Sequence, residues 1–297
     1  MRRFSAIDLS QLPPPKLIDE ISYEAILADQ KSYVIGQWEA VRSARPDLPP
    51  LDTLELETEP ITVILEVLAY RETLLRALVN DKARAVLLAF AKDTDLDHIG
   101  ALFGVERMRV GDVVEGDDRY RRRIQLAPEA FSVAGPAGAY EFHALTVSLD
   151  IADAHAYSPA AGRVVVVLAG NDGAEVSDEI VSAVFERLGC DDLAPLTDQR
   201  SVVKAERVFY DLALNLTIPR GPVVATIAAL SETSVRKYAV ERYRIGSEVY
   251  GVGVTAAAKV GGVDDVVTTF SSVDCSERQI AVLRNLAIST TIIGGAV

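Results

Sequence analysis

Three histidines, two cysteines and a run of alternating aspartates are the residues of this 297-residue chain whose types could support catalysis or metal binding. A zinc site needs His or Cys ligands at close, recurrent spacing. His98, His143 and His155 stand apart, with no His-x-x-x-His pair and no neighbouring Cys190 or Cys275. Each reads as a surface or half-buried side chain. Asp93, Asp95 and Asp97 match the first ligands of a calcium loop, which also needs glycine sixth and an acid twelfth. His98 and Gly104 occupy those places. The aspartates read instead as first-turn acids facing the positive end of a helix dipole. Gly251-Val252-Gly253 is only weakly similar to a dinucleotide fingerprint, because Ala256 stands where the third glycine belongs and a helix precedes the segment. The chain has no GxxxxGK[ST] phosphate loop and no GxSxG elbow. Its many carboxylates include no pair that spacing alone marks as a glycosidase acid and base. The expectation is a non-enzymatic chain with no catalytic, cofactor or metal residues and no small-molecule substrate.

Charge narrows the partners. The 43 acidic and 30 basic side chains give a net charge of −13, spread along the chain. Such a surface repels phosphate backbones, so nucleic acid is not an expected partner. Arg119, Arg121, Arg122 and Arg123 form one dense cationic cluster directly after Asp117 and Asp118. No aromatic stacking series accompanies it, and it reads as ion pairing within the fold or with an acidic neighbour. Two cysteines far apart fit a reducing compartment. No segment has signal-peptide order, and no apolar run approaches membrane-spanning length.

The elements follow from periodicity. Residues 1–16 alternate apolar and polar side chains (Phe4, Ile7, Leu9, Leu12) and end in Pro13–Pro15, which predicts an extended arm. A helix is expected over 22–42, capped by Ser22, with Leu27, Val34, Trp38 and Val41 on one face. A second, over 59–91, starts at Pro60 and carries Ile61, Ile64, Leu65, Leu68, Leu75, Leu78 and Val79 as its core stripe, roughly 50 Å long. Arg71, Arg76 and Arg84 are placed on its non-core side. A short helix over 93–104 ends at Gly104. Next come helices over 119–131, bent or shortened by Pro128, and 137–148, strands over 151–157 and 163–169, and a helix capped by Ser177. The last part reads as a strand over 202–218, helices over 223–243 and 252–260, and strands over 263–270 and 284–293. The fold class is α+β multidomain: an arm (1–16), an N-terminal helical domain with a long spine helix (17–110), and two small mixed α/β units (117–200 and 201–297).

Several blocks then resemble the baseplate J family of contractile phage tails and related injection machines, in the family's order. They are IDLSQLPPP (7–15), EPITVILEVLAYRETLLRALVNDKARAVLLAFAKDTDLDHIGALFGVER (59–107), SVAGPAGAYEFHA (132–144), APLTD (194–198) and RIGSEVYGVGVTAAAKVGGVDDV (244–266). Residues 271–297 match loosely. The resemblance implies a structural baseplate wedge protein of the virion tail, assembled in the host cytoplasm. It implies pairing with itself and with other wedge and hub proteins in a six-fold ring that relays the trigger for sheath contraction. The implied contacts are Phe4, Ile7, Leu9 and Leu12 on a neighbouring subunit, and Arg71, Arg76, Arg84, Arg119, Arg121 and Arg122 toward acidic surfaces. A tail-associated cell-wall lytic enzyme is the alternative.

Overall fold

Ser22 accepts a hydrogen bond from the Ala25 amide and starts α1 (Tyr23–Ala44), as the spacing predicts. Residues 9, 12, 13, 15, 21–132, 135–190, 198–221 and 223–293 are described in the computed structural model. They fall into two compact units, one through Leu102 and one from Phe103 onward. In the first, α2 (Pro60–Ala85) opens on its first-turn proline and α3 (Asp93–Leu102) begins at the aspartates. The expected spine helix is shortened. It ends at Ala85 and gives way to turns through Phe90, so at ~1.5 Å per residue it measures roughly 39 Å. Gly104 follows α3 at φ +67°, the left-handed conformation expected there.

The second unit opens with a short hairpin, β1 (Arg109–Val110) and β2 (Val113–Val114), then α4 (Asp117–Ala130) with Pro128 inside it and α5 (Ala137–Leu145). β3 (Ile151–Ala160) pairs antiparallel with β4 (Arg163–Gly170). The helix α6 (Asp178–Leu188), capped by Ser177, crosses to β5 (Gln199–Lys204), which pairs parallel with β4. The run Val164–Ala169 is continuous because β4 is buried on both faces. Val166 and Leu168 join Tyr140, Leu145, Val184 and Leu188. Val165, Val167 and Ala169 pack instead on Ile245, Ile280 and Val282.

The single strand expected over 202–218 is two strands. β5 belongs to the first sheet, and after Ala205 the chain enters β6 (Glu206–Pro219) of a second. The break lets Ala205 N–H donate to Leu168 O while Glu206 N–H donates to Arg278 O in the other sheet. The expected unit boundary at 200/201 therefore falls inside β5. Beyond β6 come α7 (Val224–Arg242), β7 (Val249–Tyr250), α8 (Gly251–Ala258), β8 (Asp265–Thr268), β9 (Ser272–Val273) and β10 (Gln279–Ile293). The second sheet runs β10-β6-β8, with β10 parallel and β8 antiparallel to β6. Leu212, Leu214, Leu216 and Ile218 alternate into its core, beside Val235, Val254 and Ala258.

Gly251 shows how closely this core is set. A Cβ there would lie 2.4 Å from Phe270 O and 2.7 Å from Ser271 O, both backbone atoms. Gly251→Ala must push α8 off the 268–272 segment. We expect it to cost about 2 kcal/mol or more, in line with overpacking. A lowered denaturation midpoint with an unchanged m value checks this, and an unchanged midpoint refutes it.

Candidate functional site

The arginine cluster turns inward. Helical periodicity sends Arg119, Arg122 and Arg123 to the interior of the second unit and leaves the Arg121 head beside Asp118 at 2.7 Å. Arg119 donates to the carbonyls of Leu145 (2.6 Å), Ser148 (2.7 Å) and Ile151 (3.2 Å), so it satisfies the C-terminal end of α5 and the start of β3 together. Its Nη1 also pairs with the buried Glu115, which accepts from Arg123 at 2.6 Å and from the Met108 amide at 3.1 Å. Burial pulls the Arg119 guanidinium below its ordinary range, and Glu115 opposes that shift.

Arg122 pairs with Asp153, a strand aspartate with no exposed surface. Burial alone would lower the Arg122 guanidinium, but the adjacent carboxylate outweighs it and holds it above the ordinary range. The second Asp153 oxygen accepts the Ile245 amide at 2.7 Å, joining β3 to the segment after α7. Tyr243 Oη makes a parallel link by donating to Gly170 O (2.7 Å) and accepting from Gly173 N–H (3.0 Å). These contacts are structural. To serve as contacts with an outside partner, Arg119 and Arg122 would have to give them up.

His143 and His155, expected as surface or half-buried side chains, are buried; only His98 is exposed. His155 Nδ1 lies 3.2 Å from Glu141 Oε1, and the same oxygen accepts from the Ala156 amide. A carboxylate acceptor inside the unit admits a polar ring there. Sequence reasoning missed Glu141 and Asp153. The signal available for Asp153 was a lone acid inside the apolar strand IADAHAY, following a run of arginines.

The helical unit carries the more informative surface. α2 buries Thr62, Leu65 and Ala69, and Glu72 on the same side accepts from Gln30 of α1 at 2.9 Å. That bond, with Arg76 beside it, keeps the Glu72 carboxyl below the usual range. The expected core stripe is therefore reversed: of its seven residues only Leu65 is buried. The buried side of α2 carries Leu65, Ala69 and Thr62, whose hydroxyl donates to Leu54 O at 3.0 Å, and the other leucines turn away. Ile64, Val67, Leu68, Leu74, Leu75 and Leu78 form an exposed apolar face, with Leu75 61% accessible. Single exposed leucines need no explanation, but a face along a whole helix marks an interaction site. Arg71 lies exposed on this face. Arg84 pairs with Asp81 at 3.9 Å near the helix end. Arg76 lies on the α1 side, bonded to Glu72, and not on the outer side expected for it.

Of the arm, Leu9 is half-buried and Leu12 is 43% exposed, while Phe4 and Ile7 lie outside the described residues. Among the described residues no group of three His, Cys, Asp or Glu could hold a metal ion. An open groove of about 440 Å³ on the helical unit is lined by Leu27, Lys31, Ser32, Ile35 and Glu55. Lys31 reaches Glu55 there at 3.6 Å.

Residues 57–112 match the Baseplate J-like N-terminal domain, and residues 132–204 match the Baseplate J-like central domain. Over 277 residues, 88% of this chain and 89% of the relative, the sequence is 35% identical to Baseplate protein J of Escherichia phage P2. The chain belongs to the baseplate J family. A chain from the six-fold symmetrised baseplate of the anti-feeding prophage superposes with a TM-score of 0.40 at 11% identity, covering 57% of this baseplate J chain and 42% of that one.

Proposed function

We propose that this baseplate J chain is a structural wedge protein of a contractile tail or tail-like injection machine. In this reading it pairs with itself and with other wedge and hub proteins, joins a six-fold ring in the virion baseplate after assembly in the host cytoplasm, and relays the trigger for sheath contraction. The exposed apolar face of α2 carries the proposal. Burying the accessible half of six such side chains is worth on the order of 5–9 kcal/mol, a driving force that a partner helix would collect. A closed ring needs contacts on at least two faces of each subunit, and a triggered ring needs interfaces with two packings close in free energy. The arm (1–16), the helical domain (17–110) and the 117–200 and 201–297 parts are the pieces proposed to make those contacts. Leu9, Leu12, Arg71 and Arg84 stand as contact residues of the described surface, with Phe4 and Ile7 further along the arm.

Two measurements test it. Co-expression with the neighbouring tail proteins, followed by electron microscopy, is expected to yield wedge or ring particles containing this chain. Deleting residues 1–13 is expected to reduce their yield, and unchanged assembly removes the arm from the interface. A zymogram on bacterial cell wall addresses the lytic alternative. A cleared band from the purified chain overturns the non-enzymatic reading.

A further inference from the structure

β10 ends the sheet order β10-β6-β8, and its outer edge is the longest main-chain ladder left open among the described residues. Its first residues are covered, since Gln279 O accepts from the Gly246 amide. After the irregularity between Leu283 and Asn285, where Arg284 pairs with Asp211 of β6, the strand continues for nine residues, Asn285–Ile293. Those nine contain no charge and no proline, in a chain where 25% of residues are charged. Natural edge strands are guarded by lysines, prolines, bulges or covering loops. Among the described residues none guards this stretch.

The register says which groups are open. Thr290 lies beside Leu216, and Ile293 O accepts from the Arg220 amide on the β6 side. In a parallel ladder alternate residues bond to one neighbour. The N–H and C=O groups of Leu286, Ile288, Thr290 and Ile292 therefore point away from β6. Only another extended backbone presents donors and acceptors at the matching repeat of roughly 6.8 Å.

We propose that the second backbone is β10 of another copy of this chain, added antiparallel about a two-fold axis at Ser289, so that two three-stranded sheets become one of six. The premise is the self-pairing within a baseplate argued above. The sequence is self-complementary about that point. Leu286 comes opposite Ile292 of the partner subunit, and Ile288 opposite Thr290 of the partner subunit. This prolongs the face on which Leu286 and Ile288 already pack against the core. On the other face, Ala287 meets Thr291 of the partner subunit and Ser289 meets its own counterpart. The two Arg284 side chains end up roughly 34 Å apart, beyond several Debye lengths, so two copies of an acidic protein meet along an uncharged seam.

The test uses the full chain with Cys190→Ser and Cys275→Ala. Antiparallel non-hydrogen-bonded neighbours have Cα atoms about 4.5 Å apart, within disulfide range. Ser289→Cys is expected to form a disulfide-linked dimer on mild oxidation. Asn285→Cys, opposite Ile293 of the partner subunit, is expected to remain unlinked. Thr290→Pro removes an outward N–H without touching the β6 ladder, and it should weaken dimerisation at least tenfold by sedimentation velocity, whereas Thr290→Val should not. Equal linking at both cysteine positions, a dimer unaffected by Thr290→Pro, or a monomer at all concentrations overturns the proposal. Failure here leaves the baseplate reading standing if co-expressed tail proteins still capture the chain. Loss of that capture is the separate failure of the baseplate reading.

Discussion

A chain carrying Leu68→Asp and Leu75→Asp is expected to fold and yet to drop out of the baseplate complexes that the unaltered chain enters. Both leucines lie on the exposed face of α2, away from the buried Thr62, Leu65 and Ala69. In the isolated chain the substitutions cost little beyond the lower helix propensity of aspartate, roughly 0.5–0.7 kcal/mol each. Against an apolar partner each carboxylate must be desolvated without a counter-charge, at several kcal/mol apiece. Association should weaken by more than about a thousandfold. Circular dichroism and a thermal melt read the first half of the expectation, and co-purification with tail proteins reads the second. Unfolding of the variant would mean that the leucine stripe is core after all. Retained assembly would mean that α2 is not an interface.

Asp153→Ala is expected to be the most damaging single substitution for folding, at about 3–5 kcal/mol, because it takes away the buried carboxylate paired with the Arg122 guanidinium. It also strips the Ile245 amide of its acceptor. Asp153 ties α4 and β3 to the C-terminal part of the second unit, so the loss falls on a joint shared by two sheets. Denaturant unfolding gives the number. The double substitution Arg122→Met with Asp153→Leu tests the cause, since removing both charges should restore most of the loss. A loss of less than about 1 kcal/mol in Asp153→Ala would show that water reaches the pair.

Much of the fold was legible locally. Ser22 and Ser177 cap their helices, Pro60 opens α2, Gly104 turns out of α3, and the alternation Leu212, Leu214, Leu216, Ile218 gives the buried face of β6. Each is a property of a few adjacent residues and the backbone they favour. The continuous run Val164–Ala169 likewise carries a sign of burial on both faces. What covers the second face, Ile245, Ile280 and Val282, lies some 80 to 115 residues away and left no local trace.

The errors have one physical source. A helical stripe of leucines records that a face will be buried, and it does not record by what. Within the helical unit α2 turns Thr62, Leu65 and Ala69 inward, and the rest of the leucine stripe faces outward. The same holds for the arginines. Their spacing fixed that Arg119, Arg122 and Arg123 share one side of α4, but only the packing of α5 and β3 supplied the carbonyls and carboxylates that hold them inside. By itself the sequence determined the helices, most strands, the acidic character and the family. The tertiary structure alone decided which apolar face stayed open, which charges were consumed in the interior and where β5 hands over to β6, because each depends on surfaces that distant segments bring together.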